Sequence, residues 1–179
     1  ENLPVLWTLA SGNTQQDIEE AEQLLASGRH NTFKLKIGWQ APEISIAHVA
    51  AIKKAMGDRA KITVDVNQAW DESTAKISIA KLQEAGIDLI EQPIVKENFE
   101  GLARLTKMFT VPIMADEALN DSTDAYKLAK IRGGDVFALK IGKSGGLHNV
   151  LKVATIAEAA DISLYGGTLL EGTIGSVAS

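Results

Sequence analysis

Short β-like runs alternate with helical patterns along the whole chain, at a spacing near 26 residues, and this alternation limits the fold more than any other feature. A strand that must pair in parallel with the next needs a crossover, so alternation of this kind implies an α/β fold around a parallel sheet. Strands are expected at Val5 to Ala10, Thr32 to Ile37, Lys61 to Val66, Leu89 to Glu91, Pro112 to Ala115, Val136 to Lys140 and Ser163 to Tyr165. Between them, apolar residues recur at helical period: Ile18, Ala21 and Leu25; Val49, Ile52 and Met56; Ala75, Ile79 and Leu82; Leu147, Val150, Leu151 and Ala154. Asn13 and Asp71 stand where N-caps belong, and Gly28, Gly57 and Gly86 where left-handed stops belong.

Seven such steps suit a (β/α) barrel better than a doubly wound sheet, whose dinucleotide form needs a Gly-rich turn after the first strand. Ser11-Gly12-Asn13 is not one. A complete TIM-type barrel takes about 250 residues. At 179 residues, with a last helix just starting at Gly172, the chain is expected to be one partial catalytic domain, residues 1–179, that lacks the eighth strand. The absence of an initiator Met suggests that it begins inside a longer protein.

Composition excludes several classes. There is no cysteine, hence no disulfide framework or thiolate zinc site, and the cytoplasm is the expected compartment. A net charge of −5 without a basic run argues against nucleic acid or an anionic membrane as partner. No apolar stretch reaches the ~18 residues of a membrane span.

The chemistry is concentrated at the strand ends. Lys36, Asp65, Glu91, Asp116 and Lys140 follow one another at intervals of 29, 26, 25 and 24 residues, one per βα step, each where a hydrophobic run stops. In a barrel these ends converge on one mouth. Alternation turns Leu35 and Ile37 towards the helices and Lys34 and Lys36 inward, and treats Asp65 and Asn67 in the same way. Taken singly, each charge could be a solvated loop residue. As a set they are costly unless paired or ligated, and three clustered carboxylates repel one another unless a cation lies among them. Asp65, Glu91 and Asp116 therefore fit a hard divalent ion, Mg²⁺ or Mn²⁺. Lys36 and Lys140 provide an acid/base group on either side, and Lys34 is either an electrostatic helper or a salt-bridge partner of a carboxylate. His30, His48 and His148 are read as surface residues, and Glu171, the nearest candidate for a further pocket role, is read in preference as a helix-start carboxylate favoured by the dipole. Trp39 and Trp70 either wall the pocket or pack under loops.

The segments F-K-L-K-I-G (Phe33 to Gly38), V-D-V-N-Q (Val64 to Gln68), E-Q-P (Glu91 to Pro93), A-D-E (Ala115 to Glu117) and A-L-K-I-G-K-S-G-G (Ala138 to Gly146) together resemble the muconate-lactonizing branch of the enolase superfamily. The resemblance covers nearly the whole chain, and L-Y-G-G-T-L-L-E-G-T-I-G (Leu164 to Gly175) favours its lactonizing members. It implies the superfamily's general chemistry, a Lys or His base acting with Mg²⁺ on an enediolate. By that resemblance Asp65, Glu91 and Asp116 bind the metal, Lys36 transfers the proton, Lys140 faces it across the substrate and Lys34 assists. The substrate is a small dicarboxylate, cis,cis-muconate, converted to muconolactone in aromatic-compound catabolism, and the full-length protein is a homo-oligomer. Chloromuconate cycloisomerisation, o-succinylbenzoate synthesis and dipeptide epimerisation share these motifs, and a non-catalytic barrel is the alternative from another class. The branch also has a capping domain over the mouth and an acidic residue on its eighth strand. Neither is found in this chain, which is expected to be inactive when expressed alone.

Overall fold

The structure, a computed structural model, describes residues 5–178. Its contacts gather into two compact units, Glu1–Ile94 and Val95–Ser179. The first contains β1 (Trp7–Leu9), α1 (Thr14–Ala26), β2 (Thr32–Lys36), α2 (Pro42–Met56), β3 (Lys61–Asp65), α3 (Glu72–Glu84) and β4 (Leu89–Glu91). β1 pairs with β2, β2 with β3 and β3 with β4, all parallel and in chain order. The second contains α4 (Phe99–Met108), β5 (Ile113–Ala115), α5 (Ser122–Ile131), β6 (Val136–Leu139), α6 (Leu147–Ala159), β7 (Ser163–Gly166) and α7 (Thr173–Ala178). There β6 pairs in parallel with both β5 and β7. Among the described residues no helix is long and apolar enough to cross a membrane.

The strands lie where the sequence places them: β4 matches to the residue, β7 runs one residue further, and the other five are shorter by one to three residues. The helix faces follow the predicted stripes in α2 and α3: Val49, Ile52 and Met56, then Ala75, Ile79 and Leu82, are all fully buried. Each large side chain among them contributes roughly 1.5–3 kcal/mol. Helix α6 differs. Its buried face is Val150, Val153 and Ala157, while Leu147 and Leu151 are exposed. This helix has apolar residues on two faces, and periodicity alone does not choose between them. The expected punctuation is present. Asn13 Oδ1 accepts from Gln16 N at 3.1 Å and Asp71 Oδ1 from Thr74 N at 2.7 Å, and Gly28, Gly57 and Gly86 have positive φ of 67°, 56° and 81°, although Gly57, with ψ −137°, is not a left-handed helical stop.

One glycine fixes how β2 meets β3. Gly38, just beyond Lys36, has φ 115°, and a Cβ there would lie 2.5 Å from Ala69 Cβ and 2.8 Å from the Val66 carbonyl oxygen. Gly38→Ala is therefore expected to cost about 2–3 kcal/mol through combined strain and overpacking. Urea unfolding measures it, and a loss below about 0.5 kcal/mol, the range of a neutral surface change, would show that the turn can yield.

Candidate active site

In the first unit, parallel register sets three polar residues side by side at the strand ends: Lys36 is opposite Asp65, and Asp65 opposite Glu91. Alternation along β2 is as expected, with Phe33, Leu35 and Ile37 buried and Lys34 and Lys36 on the other face. Asp65 and Glu91 are each only 2% exposed. Their charge is met by Lys34, whose Nζ is 3.4 Å from Asp65 Oδ2 and in direct contact with Glu91 Oε2. Lys34 thus bridges both carboxylates. Lys36 is different: its side chain is exposed, and it makes no ion pair or hydrogen bond among the described residues.

The backbone beyond these carboxylates is unusual. Asn67, Gln68 and Gln92 have φ of 46°, 67° and 36°, a left-handed conformation that costs a non-glycine residue of order 1–3 kcal/mol. It is held by hydrogen bonds from Gln68 N to Gln92 O at 2.8 Å and from Gln92 Nε2 to Ile94 O at 2.9 Å. Asn67 N also donates to Asp65 Oδ1 at 3.1 Å, which fixes that carboxylate.

In the second unit Asp116 follows β5 and Lys140 follows β6. Lys140 Nζ donates to Asp116 Oδ2 at 2.6 Å, and Lys143 Nζ donates to Oδ1 and to the Asp116 carbonyl, both at 2.6 Å. Burial pushes the Asp116 carboxyl up, but Lys143 and Lys140 together outweigh it and hold the group below its ordinary value. Burial, joined by the neighbouring Lys140 charge, holds the Lys143 ammonium below its ordinary value although Asp116 favours the charged form. Lys143 was not among the residues singled out from the sequence. The signal was available, because Lys143 lies one turn beyond Lys140 in K-I-G-K-S-G-G, and the turn closes with Ser144 N donating to Lys140 O at 3.0 Å. The Y-G-G segment also has a local reason: a Cβ on Gly167 would lie 3.0 Å from Lys140 Cε.

Other expectations divide. Trp39 is 69% exposed and lines a cavity that Lys36 also lines, whereas Trp70 is buried, with its indole N–H unpaired. His148 is exposed, but His48 is not a free surface residue. It lies against the buried Asp17, because the helix pattern placed it without showing that α1 covers it. Glu171 accepts from Leu169 N at 2.7 Å, so its carboxylate folds back onto the preceding loop.

Asp65 and Glu91 in the first unit, and Asp116 in the second, are buried carboxylates, the oxygen donors that a hard cation takes. Among the described residues no three His, Cys, Asp or Glu side chains are gathered tightly enough to hold a metal ion, and the compensating cations are Lys34, Lys140 and Lys143.

Comparison with known proteins adds the lineage. The chain is 55% identical over its 179 residues to muconate cycloisomerase 1 of Acinetobacter baylyi and 49% identical to a chloromuconate cycloisomerase of Cupriavidus necator. Both alignments cover 100% of this chain and 48% of the relative, so the chain spans about half the length of these relatives. Among solved structures it is similar to muconate cycloisomerase from Pseudomonas fluorescens, with a TM-score of 0.96 and 55% identity over 98% of this chain and 49% of that one. It is also similar to muconate lactonizing enzyme from Pseudomonas putida, with a TM-score of 0.96 and 52% identity over the same shares. The α/β barrel class expected from the sequence is the class these likenesses show. The enolase C-terminal domain-like family matches residues 16–179, and the chain belongs to that family.

Proposed function

We propose that the protein is a divalent-metal cycloisomerase that interconverts cis,cis-muconate and muconolactone in aromatic-compound catabolism. The observation that carries this reading is the contrast among the lysines at the strand ends. Lys34, Lys140 and Lys143 are each committed to a carboxylate, while Lys36, in register beside Asp65, has an amine with no ion pair or hydrogen bond among the described residues. An amine available to carry a proton next to buried oxygen ligands is what addition of a carboxylate across a conjugated double bond requires.

Asp65, Glu91 and Asp116 would hold the metal, Mn²⁺ or Mg²⁺. When bound, such an ion supplies Lewis-acid stabilisation of negative charge that develops on a substrate carboxylate. Lys36 delivers the proton to the carbon next to that carboxylate and removes it in the reverse direction. Lys140 adds a second positive charge for a dianionic substrate, and Lys34 keeps Asp65 and Glu91 parallel and close. Asn67 and the left-handed turns behind Asp65 and Glu91 restrict those carboxylates to one geometry, so that little reorganisation is needed during reaction. We place the protein in the cytoplasm and expect a homo-oligomer.

Chloromuconate is the second substrate to consider, because a chloromuconate cycloisomerase is 49% identical to this chain. The relatives named here give no comparable support to o-succinylbenzoate synthesis or dipeptide epimerisation. The test is loss of cis,cis-muconate ultraviolet absorbance with the intact protein, first stripped by chelator and then resupplied with Mn²⁺. Activity should vanish and return, and Asp116→Asn should weaken Mn²⁺ binding in calorimetry by at least about tenfold, or ~1.4 kcal/mol. Full activity in chelator would overturn the metal role, and unchanged affinity would remove Asp116 from the ligand set.

A further inference from the structure

The first unit contains a second polar cluster that the proposed reaction does not use. Asp17, in the first turn of α1, is completely buried. Its Oδ1 accepts from Ser11 N at 3.1 Å, and its Oδ2 is 3.2 Å from His48 Nε2 on α2. The other ring nitrogen of His48, Nδ1, is 2.8 Å from Thr14 Oγ1. Of the two ring nitrogens, Nε2 is the one set against the carboxylate, where a hydrogen on it would face an acceptor. In the neutral imidazole, Nδ1 then accepts from the Thr14 hydroxyl. One imidazole thus ties α2 to both the start of α1 and, through Asp17, the loop that leaves β1.

This cluster lies on the wall of a cavity of about 590 Å³ that is also lined by Lys36, Trp39 and Gln40. A carboxylate buried this completely, with one oxygen bonded to a backbone N–H and the other set against an imidazole, is expensive to keep for packing alone. Here it ties the loop after β1 to α2 at the edge of the cavity. We propose that His48 is a positioning residue for the substrate. By holding Asp17 and Thr14 it keeps the β1–α1 loop in place as a wall of the cavity next to Lys36, and so sets how tightly the part of the dicarboxylate remote from the reacting carbon is bound. The inference rests on the cycloisomerase reading. It predicts a loss in binding and not in the chemical step, because the polar partners of His48 among the described residues are Thr14 and Asp17, neither of them a proposed catalytic group or metal ligand.

The experiment compares wild type, His48→Phe and His48→Gln in the intact protein. It measures steady-state kinetics with cis,cis-muconate, thermal midpoint, and hydrogen exchange at the Ser11 amide. In His48→Phe, KM should rise about tenfold with kcat within about twofold, and Ser11 exchange should accelerate at least about tenfold. His48→Gln keeps a side-chain N–H donor for Asp17, and should return both KM and Ser11 exchange towards wild type. A His48→Phe variant with unchanged KM and unchanged Ser11 exchange overturns the proposal. So does loss of kcat and thermal midpoint together in both variants, which would make His48 merely structural. If wild type does not turn over cis,cis-muconate, the functional reading fails instead, and Ser11 exchange alone decides whether His48 holds the loop.

Discussion

Lys36→Ala in the intact protein is expected to lower turnover of cis,cis-muconate by about 10²–10⁴-fold, the usual contribution of a positioned general acid or base. Divalent-metal affinity should stay within about twofold, and stability within about 0.5 kcal/mol, as for a surface substitution. The separation follows from the structure, since Lys36 is exposed and forms no ion pair among the described residues, and its removal leaves no buried charge without a partner. Solvent deuterium entering the lactone, together with calorimetric Mn²⁺ titration, measures both sides. Wild-type exchange in the variant would take the proton-transfer role from Lys36 and pass it to Lys140.

Lys34→Met is the opposite case. It removes the ammonium that compensates Asp65 and Glu91, two carboxylates in register on adjacent strands and almost completely buried. Breaking a buried pair from one side typically costs about 3–5 kcal/mol, because the remaining charge stays desolvated. In chelator the variant should therefore unfold at a much lower urea concentration than wild type. Added Mn²⁺ should restore more stability to the variant than to wild type, since a cation bound only by the folded state stabilises it by mass action. An unchanged midpoint in chelator would show that the carboxylates find another partner, and a variant indifferent to Mn²⁺ would remove Asp65 and Glu91 as ligands.

The parts of the fold that were readable from sequence are those that local chemistry dictates. A run such as Lys61 to Val66 that ends on a charge names both a strand and its end, and Leu89 to Glu91 was located to the residue. Alternation alone separated Lys34 and Lys36 from Leu35 and Ile37. What was missed depends on contacts between elements. His48 and Asp17 are 31 residues apart and meet only because α1 packs on α2. Lys143 lies one turn beyond Lys140, but that spacing alone does not say that the turn brings both amines onto the one carboxylate of Asp116. Nothing in the composition of glutamine signals that Gln92 takes a left-handed backbone, and the exposed Leu147 and Leu151 mimic a core stripe. The spacing of the charged strand ends was readable. The way lysines are shared among carboxylates was not.

The in-register row Lys36, Asp65 and Glu91 also limits where the gene can gain or lose codons. Side chains alternate between the two faces of a strand, so a one-residue insertion within Lys61–Asp65 would turn Asp65 towards the helices and put an apolar side chain in its place. The same insertion beside Gly28, Gly57 or Gly86, at the turns leading into the strands, leaves every register unchanged. Length variation in descendants of this chain should therefore collect at those turns, and a library of single-codon insertions scored for folding and turnover should recover survivors there and almost none within β2, β3 or β4.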